Sequence, residues 1–102
     1  MPSIEQLEKL LTIDRDDPFV HYGLGQEHAK LGDHQTAIEC FDQTLRLDES
    51  YCYAYYFKAI SQNSMGLKDG AIETISSGIE RAKGSGDMKA LSELEALLQS
   101  MR

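Results

Sequence analysis

The chain has 102 residues, of which 41% are hydrophobic, and its formal net charge is −7. That length suits one domain with one core, and no apolar run approaches the roughly 18 residues that a membrane-spanning helix needs. The excess of acidic residues disfavours nucleic acid and anionic lipid as partners, whereas a neutral or basic partner is accommodated more easily.

The amino-terminal sequence and the cysteines indicate the cellular compartment. Residues 1–5 lead into a charged amphipathic segment, without the basic start and apolar run of a secretory signal. Cys40 and Cys52 do not have the spacing of a metal site or of a disulfide scaffold. We therefore expect a cytoplasmic protein with reduced thiols.

Capping signals mark where the first helices begin. Ser3 and Gln6 have the spacing of a capping box. Asp17 precedes Pro18, which places a capping acid before a proline at the first helical position, and Asp33 can cap the next helix. Apolar residues at helical spacing then predict helices in the rest of the chain, and no strand is needed. The predicted helices cover residues 3–14, 18–31, 35–47, 51–65, 69–83 and 87–101.

The sequence repeats with an offset of 34 residues, as residues 18–51 match residues 52–85. Identical pairs are Tyr22 and Tyr56, Gly32 and Gly66, Ala37 and Ala71, Ile38 and Ile72, and Glu39 and Glu73. The first helix matches the second half of a unit, and the similarity fades beyond residue 85. We predict one domain over 1–102. Its parts are a half-repeat helix (3–14), two repeats (18–51 and 52–85) and a divergent capping helix (86–102).

Small residues explain how the two helices of each unit pack. Loops of about three residues hold the paired helices antiparallel. Ala37 and Ala71 on the second helices, with Gly25 and Ala59 on the first, allow close approach. One helix pair cannot cover its own apolar stripe, so the units are expected to stack.

These positions resemble the tetratricopeptide repeat, whose 34-residue unit carries the pattern W-x2-L-G-x2-Y, then A-x3-F, then P. The first unit reads His21-x2-Leu24-Gly25-x2-His28, then Ala37-x3-Phe41, with Glu49 at the proline position. The second unit is weaker and reads Tyr55-x2-Lys58-Ala59-x2-Gln62, then Ala71-x3-Ile75, with Lys83 at the proline position. The resemblance implies an all-α fold, a right-handed α-solenoid of antiparallel helix pairs with about six helices.

The resemblance also implies a non-enzymatic adaptor or scaffold whose first helices line a concave surface for a peptide or helix of another protein. Carried over by position, the groove-lining residues are Phe19, Tyr22, Gln26, Lys30, Tyr53, Tyr56, Ile60 and Asn63. This aromatic, mostly uncharged face predicts a partner segment with apolar or aromatic side chains and an affinity that changes little with salt. Alternatively, some rings belong to the core or lie beneath the last helix.

One subtype of the family grips a terminal carboxylate with basic and amide side chains on this face. The corresponding basic positions here hold Tyr22, Tyr56, Asp87 and Ala90. A carboxylate clamp is therefore not expected.

Catalytic, metal and cofactor sites are not predicted. His21 and His28 are seven residues apart, whereas a chelating pair on a helix needs a spacing of three or four, and His34 begins another helix. The acidic residues Asp14, Asp16 and Asp17 cluster at a helix junction, where capping accounts for them. No nucleophile, base and orienting group can be placed together.

The carboxyl-terminal region suggests a second function. Gly84-Ser85-Gly86 is expected to be a flexible segment before the last helix. An apolar stripe on that helix comprises Met88, Leu91, Leu94, Leu97, Leu98 and Met101. The stripe either caps the core or docks onto a second copy of the chain, so a homodimer formed through the terminal helices is the alternative to partner capture.

Overall fold

The computed structural model describes residues 2–102 and contains six helices and no strand in that range. They are α1 (Ile4–Ile13), α2 (Pro18–Lys30), α3 (His34–Leu47), α4 (Cys52–Ser64), α5 (Lys68–Ser85) and α6 (Met88–Ser100). The all-α prediction is confirmed, and each predicted helix is present.

The predicted capping groups start three of these helices. Ser3 and Gln6 form the capping box at α1, with the Gln6 amide donating to Ser3 Oγ at 3.2 Å and the Ser3 amide to Gln6 Oε1 at 2.9 Å. Asp17 accepts from the Phe19 amide at 3.0 Å, and Asp33 caps α3 in the same manner. These bonds satisfy amide groups that the first helical turn leaves without a partner.

The helix α5 ends two residues beyond the predicted residue 83. The helix continues through Ser85, whose hydroxyl donates to the Arg81 carbonyl at 2.9 Å. Gly86 then ends it with a positive φ of 73°, a conformation that glycine adopts without steric cost. Asp87 caps α6 immediately afterwards. The segment Gly84-Ser85-Gly86, which was expected to be flexible, is therefore helical through Ser85 and turns sharply at Gly86.

The helices form two layers. Each helix packs against the next along the chain, and the further contacts join α2 to α4 and α4 to α6. The helices α1, α3 and α5 make no such contacts with one another within residues 2–102. The first helices of successive units thus lie side by side in one layer, which gives them a shared face.

The small residues have the packing role that was predicted. Ala37, Ala59 and Ala71 have no exposed surface. A methyl group added to Gly25 would lie 2.5 Å from the ring of Phe41, so the α2 backbone approaches that ring too closely for any side chain.

The last helix caps the core. Leu94 and Met101 are buried, and Leu91, Leu97 and Leu98 pack against the same cluster. Met88 is the exception in the predicted stripe, with 66% of its surface exposed. The outward face of α6 carries the exposed side chains of Lys89, Ser92, Glu95, Ala96 and Gln99. This mostly polar surface suits contact with water.

Candidate partner-binding cleft

An apolar cleft of about 290 Å³ lies between α2 and α4, beside the start of α3. We call it the α2/α4 cleft. Its lining residues are Gln26, Ala29, Lys30, His34, Phe41, Phe57, Ile60 and Ser61. Phe41 is fully buried, and Phe57 packs half-buried against the same cluster. The accessible aromatic surface of the cleft therefore comes from Phe57, and the buried Phe41 ring belongs to the core of the first unit.

Polar groups surround this apolar interior. His34 Nδ1 lies 3.2 Å from Ser61 Oγ, a contact that joins α3 to α4 and gives the buried Ser61 hydroxyl its partner. Lys30 Nζ lies 3.0 Å from Glu27 Oε2, so the cation at this rim is neutralised within α2. The rim thus offers hydrogen-bonding groups with little net charge.

A row of five aromatic rings runs beside the cleft toward α6. Successive ring centroids are 4.8 Å apart for Tyr51 and Tyr22, 6.1 Å for Tyr22 and Phe57, 5.0 Å for Phe57 and Tyr56, and 6.3 Å for Tyr56 and Tyr53. These separations and tilted geometries are typical of favourable aromatic pairs. Consequently, the face shared by α2 and α4 is stiff and aromatic.

The pKa values of three tyrosine hydroxyls in this row, those of Tyr22, Tyr51 and Tyr53, are raised, so these hydroxyls stay neutral at physiological pH. Burial raises the pKa of Tyr22, and the nearby hydroxyls of Tyr51 and Tyr53 add to the effect. Hydrogen bonding to the Glu93 carboxylate on α6, with a smaller effect of desolvation, raises the pKa of Tyr53 to about 12. The row therefore supplies neutral hydrogen-bonding groups, with a carboxylate at its α6 end.

The structure places three of the predicted groove residues, Gln26, Lys30 and Ile60, in the lining of the cleft. Gln26 also donates to the Tyr22 hydroxyl at 3.0 Å, which connects the cleft to the aromatic row. Phe19 lies on the same helix with 58% of its surface exposed.

The remaining predicted residues lie outside the lining. Tyr22 is half-buried against the cluster that contains Phe41. Tyr53 and Tyr56 are half-buried against the cluster that α4 shares with α6, and Asn63 is exposed near the end of α4. These three tyrosines thus have one side in the core and another at the surface.

Sequence reasoning missed five cleft residues: Ala29, His34, Phe41, Phe57 and Ser61. Phe57 occupies the repeat position of Gly23, so a ring replaces a glycine between the two units. That break in the repeat was the available signal. His34 and Ser61 carry no comparable signal, since their contact joins residues 27 positions apart.

His21 and His28 form contacts within the fold, and the Cys40 side chain is half-buried. His21 Nε2 lies 2.8 Å from the Arg15 carbonyl, and His28 Nδ1 lies 3.8 Å from Asp33. Burial raises the pKa of the Cys40 thiol to about 11, which suppresses the reactive thiolate. Residues 2–102 include no group of three metal-ligating side chains close enough to hold an ion. In the same range, no helix is both long and apolar enough to cross a membrane.

Comparison with known proteins identifies the family. The tetratricopeptide repeat family model matches residues 18–51, the segment predicted as the first repeat. A tetratricopeptide repeat domain protein from Salinibacter ruber, solved in solution, is 34% identical, and the match covers 87% of this chain and 90% of that one with a TM-score of 0.80. The chain belongs to the tetratricopeptide repeat family.

This tetratricopeptide repeat protein is also similar to other proteins. Superkiller protein 3 of Saccharomyces cerevisiae is 38% identical over 64 residues, but these span 63% of this chain and only 4% of that protein. The TPR2B domain of yeast Sti1, solved in a complex with pHsp70, has the same fold, with 17% identity, coverage of 96% of this chain and 78% of that one, and a TM-score of 0.90.

Proposed function

We propose that this protein binds a peptide or helix of a partner protein in the α2/α4 cleft, chiefly through apolar and aromatic contacts. The observation that carries the proposal is an open cleft whose accessible lining includes the half-buried Phe57 and Ile60. Exposed apolar concavities with a polar rim commonly mark interaction sites, because covering them removes apolar surface from water.

The size of the cleft favours a side chain from a partner over a small metabolite. Its volume of about 290 Å³ lies at the lower end of the range for sites that enclose a whole ligand, roughly 300–1,000 Å³. Half-buried rings such as Tyr56 can extend the contact beyond the cleft, and tyrosine is enriched where interfaces are strongest. The TPR2B domain of Sti1, which has the same fold, was solved in a complex with pHsp70, which supports the binding of a partner protein by this fold.

We also propose that the protein is non-enzymatic. The one serine–histidine contact at the cleft joins Ser61 to His34, but among the described residues no acidic side chain hydrogen-bonds to the other ring nitrogen. Ser61 is almost completely buried, which keeps its hydroxyl from a substrate. The free thiols of Cys40 and Cys52 are consistent with the proposed cytoplasmic location.

The test substitutes one cleft residue and compares it with a matched surface residue. We expect Ile60→Glu to weaken the binding of peptides selected from a random library at least tenfold, because a carboxylate would have to be desolvated under the ligand. Ile13→Glu is the control, since Ile13 is 84% exposed on α1, away from the cleft. Titrations by fluorescence anisotropy give both dissociation constants, and circular dichroism checks folding.

Equal losses in the two variants, or no loss in either, would contradict the proposal. Ile60 is preferred over Tyr22 and Tyr56 as the test residue. Both tyrosines also pack against core clusters, so their removal would mix lost binding with lost stability.

Self-association is the second candidate function, and exposed apolar residues on the terminal helices favour it. Leu10 and Ile13 are 44% and 84% exposed on α1, and Met88 is exposed at the start of α6. These three side chains are few for an obligate interface, which buries more apolar surface. Light scattering over a concentration series distinguishes the candidates, as a dimer that Ile13→Glu dissociates would support self-association.

A further inference from the structure

We propose that the segment bound in the α2/α4 cleft carries a lysine or arginine beside its apolar anchor, and that this cation lies against Glu93. The inference rests on the proposed function, because it specifies the chemistry of the ligand for the same groove. The inference depends on which charged side chains of α2, α4 and α6 form no ion pair within the chain.

The cations of the first two helices in this layer are neutralised by the chain itself. Lys30, the only lysine or arginine of α2, pairs with Glu27 at 3.0 Å. Lys58, the only one of α4, pairs with Asp42 on α3 at 2.6 Å. Neither side chain is therefore free to bind an anionic ligand without breaking an existing pair.

Glu93 differs from these residues because none of the ion pairs within residues 2–102 includes it. It is half-buried on α6 next to Leu94, which belongs to the cluster that Tyr53 packs against at the end of the aromatic row. Asp87, the N-cap of α6, is a second carboxylate of this helix. Lys89, one turn earlier on α6, is absent from these ion pairs as well, so the Glu93 carboxylate is available to a cation of the partner.

The separation of cleft and carboxylate sets the spacing in the ligand. Tyr53 and Ile60 are seven residues apart on α4, which corresponds to about 10 Å along the helix. An extended segment covers that distance in about three residues. We therefore expect a basic residue about three positions from the apolar anchor, within an internal segment instead of a free carboxyl terminus.

The test uses short peptides that are acetylated and amidated, so that no terminal charge contributes. Each carries one phenylalanine anchor, with lysine, glutamine or glutamate about three positions away on one side or the other. Dissociation constants are measured for the wild type, Glu93→Gln and Ile60→Glu. Glutamine keeps an acceptor for Tyr53 while removing the charge. Glu95→Gln is the matched control, because Glu95 is exposed two residues further along α6.

We expect the lysine peptide to bind the wild type about fivefold more tightly than its glutamine twin, the effect of one partly exposed ion pair. Glu93→Gln should abolish that advantage, so that the lysine and glutamine peptides bind this variant equally, whereas Glu95→Gln should preserve it. High salt should reduce the advantage in the wild type, because the pair is partly solvated.

The experiment distinguishes a failure of this inference from a failure of the proposed function. Peptides that bind in an Ile60-dependent manner without preferring lysine, or that prefer glutamate, would overturn the inference and leave the proposed function intact. If no peptide of the panel binds in an Ile60-dependent manner, both the inference and the proposed function are overturned.

Discussion

At the scale of single residues, the contact between Gly25 and Phe41 determines how closely α2 and α3 pack. The Phe41 ring is fully buried and occupies the space where a side chain at position 25 would lie. Protein interiors are close-packed, so a single added methyl group forces neighbouring atoms to move. The same ring also lines the α2/α4 cleft, which couples the packing of the first unit to the binding surface.

We predict that Gly25→Ala destabilises the protein by about 1–3 kcal/mol, because the new methyl group has to displace the Phe41 ring. The higher helix propensity of alanine offsets only about 1 kcal/mol of the strain. Urea unfolding followed by circular dichroism measures the change in the free energy of unfolding. An unchanged or higher stability would mean that α2 and α3 are further apart than the structure has them.

At the scale of secondary structure, the continuous α5 connects the second unit to its cap. Ala82, near its end, is fully buried in the cluster that also contains Leu94 of α6. The turn at Gly86 reverses the chain at once, so α6 returns over this apolar surface. A loose linker after residue 83 would hold the cap less firmly, since it would lose more conformational entropy on ordering.

Gly84 provides a test of that continuity. A side chain at this helical position meets no atom within 4 Å, so Gly84→Ala is expected to stabilise the protein by roughly 0.5–1 kcal/mol. Replacing glycine by alanine is thus expected to lower the free energy of unfolding at position 25 and to raise it at position 84. A loss of stability on Gly84→Ala, measured by thermal unfolding, would show that residue 84 is not helical.

At the scale of the whole molecule, tyrosines connect the stability of the fold to pH. The pKa values of Tyr22, Tyr51 and Tyr55 are raised from 10.0, with burial as the largest cause. The pKa of Tyr53 is raised to about 12, chiefly by Glu93. Each of these hydroxyls loses its proton more readily in the unfolded chain than in the folded one, so alkali favours unfolding.

We predict that the free energy of unfolding falls as the pH rises above about 10, the pKa of these hydroxyls in the unfolded chain. Their stabilising effect is fully present below that pH and is lost as each folded-state pKa is passed. Urea titrations at increasing pH measure the decline, which Tyr22→Phe should make shallower by removing one titrating group. A constant free energy of unfolding up to pH 11 would contradict this prediction.

The two terminal helices also differ in the polarity of the surface that they expose. The outward face of α6 is mostly polar, with exposed side chains such as Glu95 and Gln99, whereas α1 leaves Leu10 and Ile13 exposed. Leu10 occupies the repeat position of Thr44 and Gly78, both of which are buried. Within residues 2–102, α1 matches the second helix of a unit and no first helix of that unit covers it.

The sequence by itself determined the repeat, the six helices and the caps of the first three. These features depend on residues that are close along the chain, such as Ser3 with Gln6. It also determined which small positions allow the helices to pack closely, since Ala37 and Ala71 occupy the same place in two units.

Only the tertiary structure decided which of the aromatic residues form the cleft and which lie partly in the core. Phe57 lines the cleft because α4 brings it against Tyr22 and Phe41 of the preceding unit. Likewise, Glu93 meets Tyr53 only because α6 returns over α4. Such contacts join distant segments, so neither helical period nor local spacing encodes them, and packing alone selects which side of each ring remains exposed.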